Sequence, residues 1–244
     1  MTLHAEQVTL RGLGLERSGR WLFRGLDVEL PRGRFIAIVG PSGAGKTSLL
    51  GCLAGTLAPS EGEVVFRCAH GCHHSPPAFR RRLGIVFQNF LLIGNGTLLH
   101  NVLCGRLGRY PWWRTLAGFP RTDREQAFDL LARLGLSAYV HRRAVEVSGG
   151  EQQRAALARA LFQEPEMFLA DEPVSNLDSD LTCRVLEILH AQTRERGCTV
   201  ACVLHDHRLV ERFADLVIAL NPERPGEWTI QKPGREDNDA AARH

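Results

Sequence analysis

The amino-acid sequence lacks a strong excess of charge of one sign, a long hydrophobic run, an internal repeat and a low-complexity tract. Its 30 basic and 27 acidic residues give a net charge of +3, which is too balanced to indicate that nucleic-acid binding dominates the molecule. No stretch approaches the roughly 20 consecutive apolar residues of a membrane-spanning helix. Hydrophobic residues make up 44% of the 244 positions, which is enough for the core of a globular domain. Collagen-like, disordered and small disulfide-stapled chains are therefore excluded.

The chain also lacks the signals that direct a protein out of the cytoplasm. Its first 20 residues contain no apolar segment like that of a signal peptide. The seven cysteines are odd in number and scattered, and several lie within apolar runs, where a thiol behaves as a small hydrophobe. We therefore expect a cytoplasmic protein with reduced thiols and no disulfides.

Short apolar runs alternate with segments of helical composition, an order typical of a parallel sheet covered by helices on both faces. Strands are predicted at residues 8–15, 22–30, 35–39, 62–66, 83–87, 167–170, 199–204 and 216–220, and helices at 46–53, 123–134, 151–162, 181–193 and 208–213. The sequence thus predicts an α/β fold.

β-Branched runs disappear between residues 89 and 147, where the apolar spacing becomes helical. We interpret 89–147 as an inserted helical lobe and 1–88 with 148–232 as the core, followed by a polar tail at 233–244 that we expect to be disordered. Trp112 and Trp113 belong either to the core of this lobe or to a surface that faces a partner.

A glycine-rich phosphate loop follows the apolar run at 35–39 and precedes a predicted helix. It reads Gly40-Pro41-Ser42-Gly43-Ala44-Gly45-Lys46-Thr47, and Ser48 continues into the helix. Glycines allow successive backbone N–H groups to converge on phosphates, and the helix N-terminus favours negative charge. Lys46 would reach the β- and γ-phosphates, and the Thr47 hydroxyl would bind Mg²⁺. The sequence therefore predicts a nucleotide-binding site.

Two carboxylates follow a second apolar run, at 167–170. Asp171 is expected to hold Mg²⁺ through water, and Glu172 to polarise the attacking water as a general base. An acidic strand end alone is a weak signal, but its combination with a phosphate loop predicts nucleotide hydrolysis.

A third motif, Ser148-Gly149-Gly150-Glu151-Gln152-Gln153-Arg154, is another turn that leads into a helix. Ser148 suits a helix N-cap and also a phosphate contact. Together with the two motifs above, it resembles the signature of the ATP-binding cassette (ABC) ATPases, with Val147 and Glu151 as tolerated variants. The resemblance covers about residues 8–220 and implies a P-loop NTPase fold of the ABC type, with a mostly parallel core sheet, an antiparallel β subdomain and an inserted helical lobe.

The resemblance assigns further roles. Gln88 matches the glutamine that meets Mg²⁺ and couples the lobe to the core, and His205 matches the histidine that contacts the γ-phosphate. Residues 175–178, ending in Asp178, match the loop that crosses the interface of a head-to-tail dimer. In that dimer Ser148, Gly149, Gly150 and Glu151 would contact the ATP of the second copy.

Three segments depart from the family or carry a second interpretation. The family stacks adenine on an aromatic residue near Arg17, where this chain has none, so either Arg17 or a displaced Trp21 would have to serve. The cysteine- and histidine-rich segment 68–74 is either a variable surface hairpin or a metal site. The arginines at 80–82 are either a solvated face or a nucleic-acid patch.

Segments 101–109, 111–119 and 162–165 resemble the ATPase subunit of phosphonate importers. The resemblance implies ATP and Mg²⁺ as ligands, integral-membrane permease subunits as partners, an indirect link to a substrate-binding protein, and a place on the cytoplasmic face of the membrane. The alternatives are a soluble cassette that acts with phosphonate-metabolising enzymes and, less favoured, a nucleic-acid-linked cassette.

Overall fold

The computed structural model describes residues 5–68, 73–74, 79–87, 90–111 and 118–233. Within these residues the strands are β1 (Ala5–Arg17), β2 (Arg20–Pro31), β3 (Phe35–Val39), β4 (Glu61–Cys68), β5 (His73–His74), β6 (Leu83–Val86), β7 (Met167–Ala170), β8 (Thr199–Val203), β9 (Leu216–Leu220) and β10 (Trp228–Gln231). The helices are α1 (Lys46–Leu53), α2 (Leu98–Leu103), α3 (Arg121–Arg133), α4 (Gly149–Phe162), α5 (Ser179–Arg196) and α6 (His207–Phe213).

The strands form two sheets that differ in direction. The larger sheet has the order β10-β9-β3-β8-β7-β6 and is parallel except for the antiparallel edge strand β10. The smaller sheet has the order β2-β1-β4-β5 and is antiparallel. The predicted α/β fold with a mostly parallel core sheet and an antiparallel β subdomain is therefore confirmed.

The large sheet separates two hydrophobic cores, and the alternation of side chains along β3 shows how. Phe35 and Ala37 face the core formed with α2 to α6, whereas Ile36 and Ile38 face the core formed with α1 and the antiparallel sheet. All four side chains are fully buried. A strand that is covered on both faces reads as a continuous apolar run, which is the pattern that predicted it.

The predicted helices and strands agree with the structure to within a few residues, apart from three elements. Helix α2 and strands β5 and β10 are not predicted as separate elements. Strand β10 is short and half-exposed, and it pairs antiparallel with β9 at the edge of the sheet. Such a strand depends on its neighbour more than on its own composition.

Helices α2 and α3 pack against each other and against α4. A buried arginine fixes this arrangement: Arg106 is 8% exposed, and it contacts Asp123 at 2.7 Å, Glu164 at 2.9 Å and the carbonyl of Phe162 at 2.9 Å. These bonds tie the segment after α2 to the C-terminal end of α4. A buried arginine requires such pairing because an unpaired buried charge is costly.

Five cysteines lie in the part of the chain whose side chains are described, and all five are free. They are Cys52, Cys104, Cys183, Cys198 and Cys202. Burial raises the pKa of Cys52 to about 11 and that of Cys198 to about 12, so both thiols stay protonated at neutral pH. The prediction of free thiols is confirmed for these five positions.

None of the helices in the described ranges is both long enough and apolar enough to cross a bilayer. Within segment 68–74, His73 and His74 pair antiparallel with Arg67 and Phe66, so their backbone continues the small sheet. Residues 69–72 lie outside the described residues, so the choice between a hairpin and a metal site stays a prediction. Trp112 and Trp113 also lie outside them, so the choice between lobe core and partner-facing surface stays a prediction too.

The three arginines at 80–82 form a 3₁₀ turn and differ in their surroundings. Arg80 and Arg81 are exposed, as a solvated face requires, although Arg80 also donates to the carbonyl of Gly55 at 2.7 Å. Arg82 is half-buried, and it pairs with Glu166 at 2.8 Å. The segment is therefore not a uniformly solvated face, because Arg82 is half-buried in an ion pair within the protein.

Candidate functional site

The carboxyl ends of β3, β6, β7 and β8 meet at one edge of the large sheet because these strands are parallel. The phosphate loop follows β3, the pair Asp171 and Glu172 follows β7, and His205 follows β8. Ligands of open α/β sheets bind at this edge. Gln88, which was predicted to join them, lies outside the described residues.

At three positions the backbone of the phosphate loop has a positive φ angle, which residues with a side chain rarely adopt. Gly40, Gly43 and Gly45 have φ angles of 144°, 80° and 91°. A Cβ atom on Gly40 would lie 2.7 Å from the carbonyl oxygen of Leu220, so no side chain fits there. Gly45 is the N-cap of α1, and it provides no side-chain hydrogen bond to the helix. Among the described residues, no side chain therefore caps the first N–H groups of α1.

Lys46 folds back across this loop. Its side chain is 7% exposed, and its ammonium donates to the carbonyl of Gly40 at 2.7 Å and to that of Pro41 at 2.9 Å. An ammonium group has three donors, so one remains for a ligand inside the loop. Ser42 and Thr47, which belong to the same loop, are exposed.

Asp171 is a buried acid beside the hydroxyl of Thr47. The residue is 3% exposed, and neither carboxylate oxygen accepts a hydrogen bond from the described residues. Burial raises the pKa of Asp171, and the neighbouring Glu172 adds to this effect, while Thr47, Lys46 and His205 oppose it. Unpartnered carboxylate oxygens beside a threonine hydroxyl match the oxygen ligands that Mg²⁺ requires. The pair of Thr47 and Asp171 therefore fits a bound Mg²⁺ ion.

Glu172 has a left-handed backbone, with a φ angle of +50°. This conformation is uncommon for a residue with a side chain, and it costs about 1–3 kcal/mol. One carboxylate oxygen of Glu172 lies 2.7 Å from Nε2 of His205. The two residues that were predicted to act on the attacking water and the γ-phosphate are thus in direct contact.

The turn before α4 is held by its own acidic residue. Ser148 is the N-cap, and both its backbone N–H and its hydroxyl donate to Oε2 of Glu151, at 2.7 and 2.8 Å. Burial acts to raise the pKa of the Glu151 carboxyl, but hydrogen bonds from Ser148 and Tyr139 and the charge of Arg154 lower it below its usual value. Ser148 and Glu151 form a capping box.

The predicted site residues therefore fall into two groups. The phosphate loop, Asp171, Glu172 and His205 share the strand edge. The turn before α4 instead lies beside the loop at 175–178, since a Cβ atom on Gly150 would lie 3.7 Å from the carbonyl oxygen of Asn176. Asp178 caps α5 by accepting a hydrogen bond from the N–H of Leu181 at 2.9 Å.

The structure also distinguishes the two candidates for contact with a nucleotide base. Arg17 lines a cavity of about 450 Å³ together with Thr47, Ser48 and Asp171. Trp21 lies under the guanidinium of Arg24, at 4.5 Å, and its ring is packed against the backbone of Gly14. Arg17 therefore borders the phosphate loop, whereas Trp21 is engaged elsewhere.

The sequence prediction missed one polar residue at this site. Gln153 of α4 is 3% exposed, and its amide nitrogen donates to the backbone carbonyl of Glu172 at 2.9 Å. Its place within the third motif marked it as part of a turn and helix. Nothing in the residue pattern indicated that its side chain would reach the end of β7.

The family model described as "ABC transporter" matches residues 23–175 of this chain. The chain is 41% identical over 199 residues to the phosphonates import ATP-binding protein PhnC of Trichormus variabilis, and the match covers 82% of each protein. It is 42% identical over 188 residues to the protein of the same name from Nitratidesulfovibrio vulgaris, covering 75% of this chain and 71% of the relative. The Bordetella parapertussis protein of that name is 36% identical over 229 residues, covering 89% and 88%.

Solved structures give the same result at the level of the fold. A dimeric ATP-binding cassette in a post-hydrolysis state with ADP and Pi superposes with a TM-score of 0.80 and 28% identity, covering 94% of this chain and all of that chain. A dimeric bacterial ABC transporter cassette superposes with a TM-score of 0.81, also at 28% identity and with the same coverage.

Proposed function

This chain belongs to the ABC transporter family, and on that premise we propose that it is the ATP-hydrolysing subunit of an importer for phosphonates or related phosphorus oxyanions. The observation that carries this proposal is the identity of 36–42%, over most of the chain, with proteins named as phosphonate import ATP-binding proteins. The same relatives favour the importer over a soluble ATPase that acts with phosphonate-metabolising enzymes.

The phosphate loop and Lys46 would hold the phosphates of ATP. Thr47 and Asp171 would hold Mg²⁺, and Gln88 is predicted to join them. When bound, Mg²⁺ neutralises charge on the phosphate oxygens. The carboxylate oxygens of Asp171 are buried and have no hydrogen-bond partner among the described residues. They support this assignment, because burial of an unpaired carboxylate disfavours folding.

Glu172 would act as the general base. Its carboxylate accepts a proton from water as the water oxygen bonds to the γ-phosphorus and the bond to ADP breaks. His205, at 2.7 Å from one carboxylate oxygen, would orient Glu172 and contact the γ-phosphate. Arg17 is the side chain best placed to stack on the base, since it borders the cavity beside Thr47 and Ser48.

We propose that two copies associate head to tail, so that the turn of Ser148, Gly149, Gly150 and Glu151 of one copy lies at the ATP site of the other. Asp178 and its loop would lie at the interface. The dimeric cassettes with the same fold support this arrangement. The dimer would act on integral-membrane permease subunits at the cytoplasmic face of the membrane, with a substrate-binding protein delivering the cargo.

Uptake of a panel of phosphorus compounds tests this function in cells that carry the gene with its neighbouring permease and binding-protein genes. Cargo-dependent uptake is expected in the native strain and should be lost with Glu172→Gln. Glu187→Gln, on the exposed face of α5, is the matched control and should leave uptake unchanged. ATP hydrolysis by the native chain without any phosphorus-linked uptake would contradict the importer and favour the soluble ATPase.

A further inference from the structure

Gln153 connects the helix of the third motif to the residue proposed as the general base. It lies one turn into α4, five residues after Ser148, and its side chain points away from solvent. Its amide nitrogen lies 2.9 Å from the carbonyl oxygen of Glu172. A side chain of the turn and helix that would face the ATP of a second copy thus binds the backbone of the base in its own copy.

The carbonyl of Glu172 belongs to a backbone segment that needs support. Glu172 has a φ angle of +50°, and this strained conformation directs its carboxylate to His205. Besides Gln153, the hydroxyl of Ser175 donates to the same carbonyl at 3.1 Å. The peptide group after Glu172 is therefore held from two sides, by α4 and by the loop at 175–178.

The side-chain carbonyl group of Gln153 indicates that this residue does not serve to stabilise the fold. Its carbonyl oxygen Oε1 is buried and has no hydrogen-bond partner among the described residues. A buried carbonyl without a partner disfavours folding, and an apolar side chain of the same length would avoid this penalty. Glutamine at this position is therefore explained better by the bond that it makes than by its contribution to the core.

We propose that Gln153 is a positioning residue that holds the backbone of Glu172 in the conformation in which its carboxylate can accept the proton of the attacking water. This inference rests on the proposed function of Glu172.

The test compares ATP hydrolysis by the purified full-length chain and by Gln153→Met, which keeps the length of the side chain and removes the donor. We expect kcat to fall about tenfold while KM for ATP changes less than twofold, since the residue acts on the chemical step. The midpoint of thermal unfolding should equal or exceed that of the native chain. Gln163→Met is the matched control, because Gln163 donates in the same way to the carbonyl of Arg81 at the far end of α4.

A second comparison separates positioning from a general loss of packing. In single-turnover hydrolysis with excess protein, Gln153→Met should slow the native chain but not the slow residual hydrolysis of the Glu172→Gln variant, because Gln153 acts only through Glu172. Gln153→Leu provides a smaller apolar replacement should the Met side chain disturb the core, and it should give the same result.

An unchanged kcat, or an equal loss in the Glu172→Gln background, would overturn the inference. The inference would also be overturned if both apolar variants had a lower unfolding midpoint and their hydrolysis rates fell in proportion to that loss of stability. A native chain that hydrolyses no ATP would overturn the proposed function and the inference with it. Hydrolysis that Glu172→Gln abolishes and Gln153→Met leaves intact would overturn the inference alone.

Discussion

Helices α1 and α4 both begin in glycine-rich turns that the sequence predicts to bind phosphate, but their first turns are satisfied differently. The N-cap of α1 is Gly45, which offers no side-chain hydrogen bond, and the first turn of α1 contains no acidic residue. The N-cap of α4 is Ser148, which is bonded to the carboxylate of Glu151. The first helix end is open to an anion, and the second is closed by an anion of the chain itself.

The difference shows that a glycine-rich turn before a helix does not by itself define the state of a phosphate site. Free N–H groups and a helix dipole favour an incoming phosphate at α1. At α4 the same features already stabilise Glu151, whose carboxylate would also repel a phosphate. We therefore expect nucleotide to bind first at α1, and the turn before α4 to engage only when a second copy brings a phosphate close enough to compete with Glu151.

The largest expected effect is a loss of ATP affinity on removal of the Lys46 ammonium, which lies at the open N-terminus of α1. Lys46→Ala should weaken ATP binding to the isolated chain about 100-fold or more, because charge-assisted hydrogen bonds to phosphate are lost. Calorimetric titration measures this affinity. Lys232→Ala removes a lysine just after β10 and serves as the control. Unchanged ATP affinity in Lys46→Ala would show that α1 is not the phosphate site.

A more specific variant places a glutamate in the first turn of α1, at the position that Glu151 occupies in α4. Ser48 is the third residue of α1, as Glu151 is the third residue of α4. Ser48→Glu should weaken ATP binding about 30-fold, or about 2 kcal/mol, because a carboxylate would then face the phosphates. Ser48→Gln is similar in size and uncharged, and it should retain most of the affinity in the same titration. Equal losses of ATP affinity in both variants would mean that the size of the side chain at position 48, and not its charge, weakens binding.

The phosphate loop could be predicted from the sequence because each of its steps is local. An apolar run at 35–39, a glycine turn and a helix follow one another in the chain, and parallel pairing of β7 and β8 then brings Glu172 near His205. The contact between Gln153 and Glu172 could not be predicted. It depends on the orientation in which α4 packs on the sheet and on a left-handed backbone at a residue that is not glycine.

The sequence likewise predicts only part of the arrangement in which Glu151 closes the N-terminus of α4. Ser148 three residues before Glu151 is the pattern of a capping box, and the N-cap interpretation of Ser148 is confirmed. The consequence for phosphate binding required the geometry, since both donors of Ser148 are directed to the same carboxylate oxygen. The packing of Trp21 under Arg24 also arises from neighbouring strands and leaves Arg17 beside the cavity.

Opening the closed site should have a smaller effect, and in the opposite direction. In the Glu172→Gln background, which is expected to retain bound ATP, Glu151→Gln should lower the ATP concentration needed for dimerisation about fivefold, because about 1 kcal/mol of competition at Ser148 is removed. Analytical ultracentrifugation measures the dimer. Glu146→Gln is the control, since Glu146 accepts from the N–H of Arg143 at 2.9 Å in a similar turn. A weakened dimer in Glu151→Gln would show that the carboxylate contributes to closure.

The smallest effect concerns the stability that this cap provides. Because hydrogen bonds hold the pKa of Glu151 below its usual value, its carboxylate stabilises the folded chain above the unfolded-state pKa, and this contribution disappears as the pH falls through the folded-state pKa. Glu151→Gln should therefore lower the free energy of unfolding by about 0.5 kcal/mol at pH 7 and have little effect at about pH 3. Urea unfolding of both chains across this range measures the difference. A difference that stays constant with pH would mean that the shape of the side chain, rather than its charge, closes α4, and the contrast with α1 would then be steric and not electrostatic.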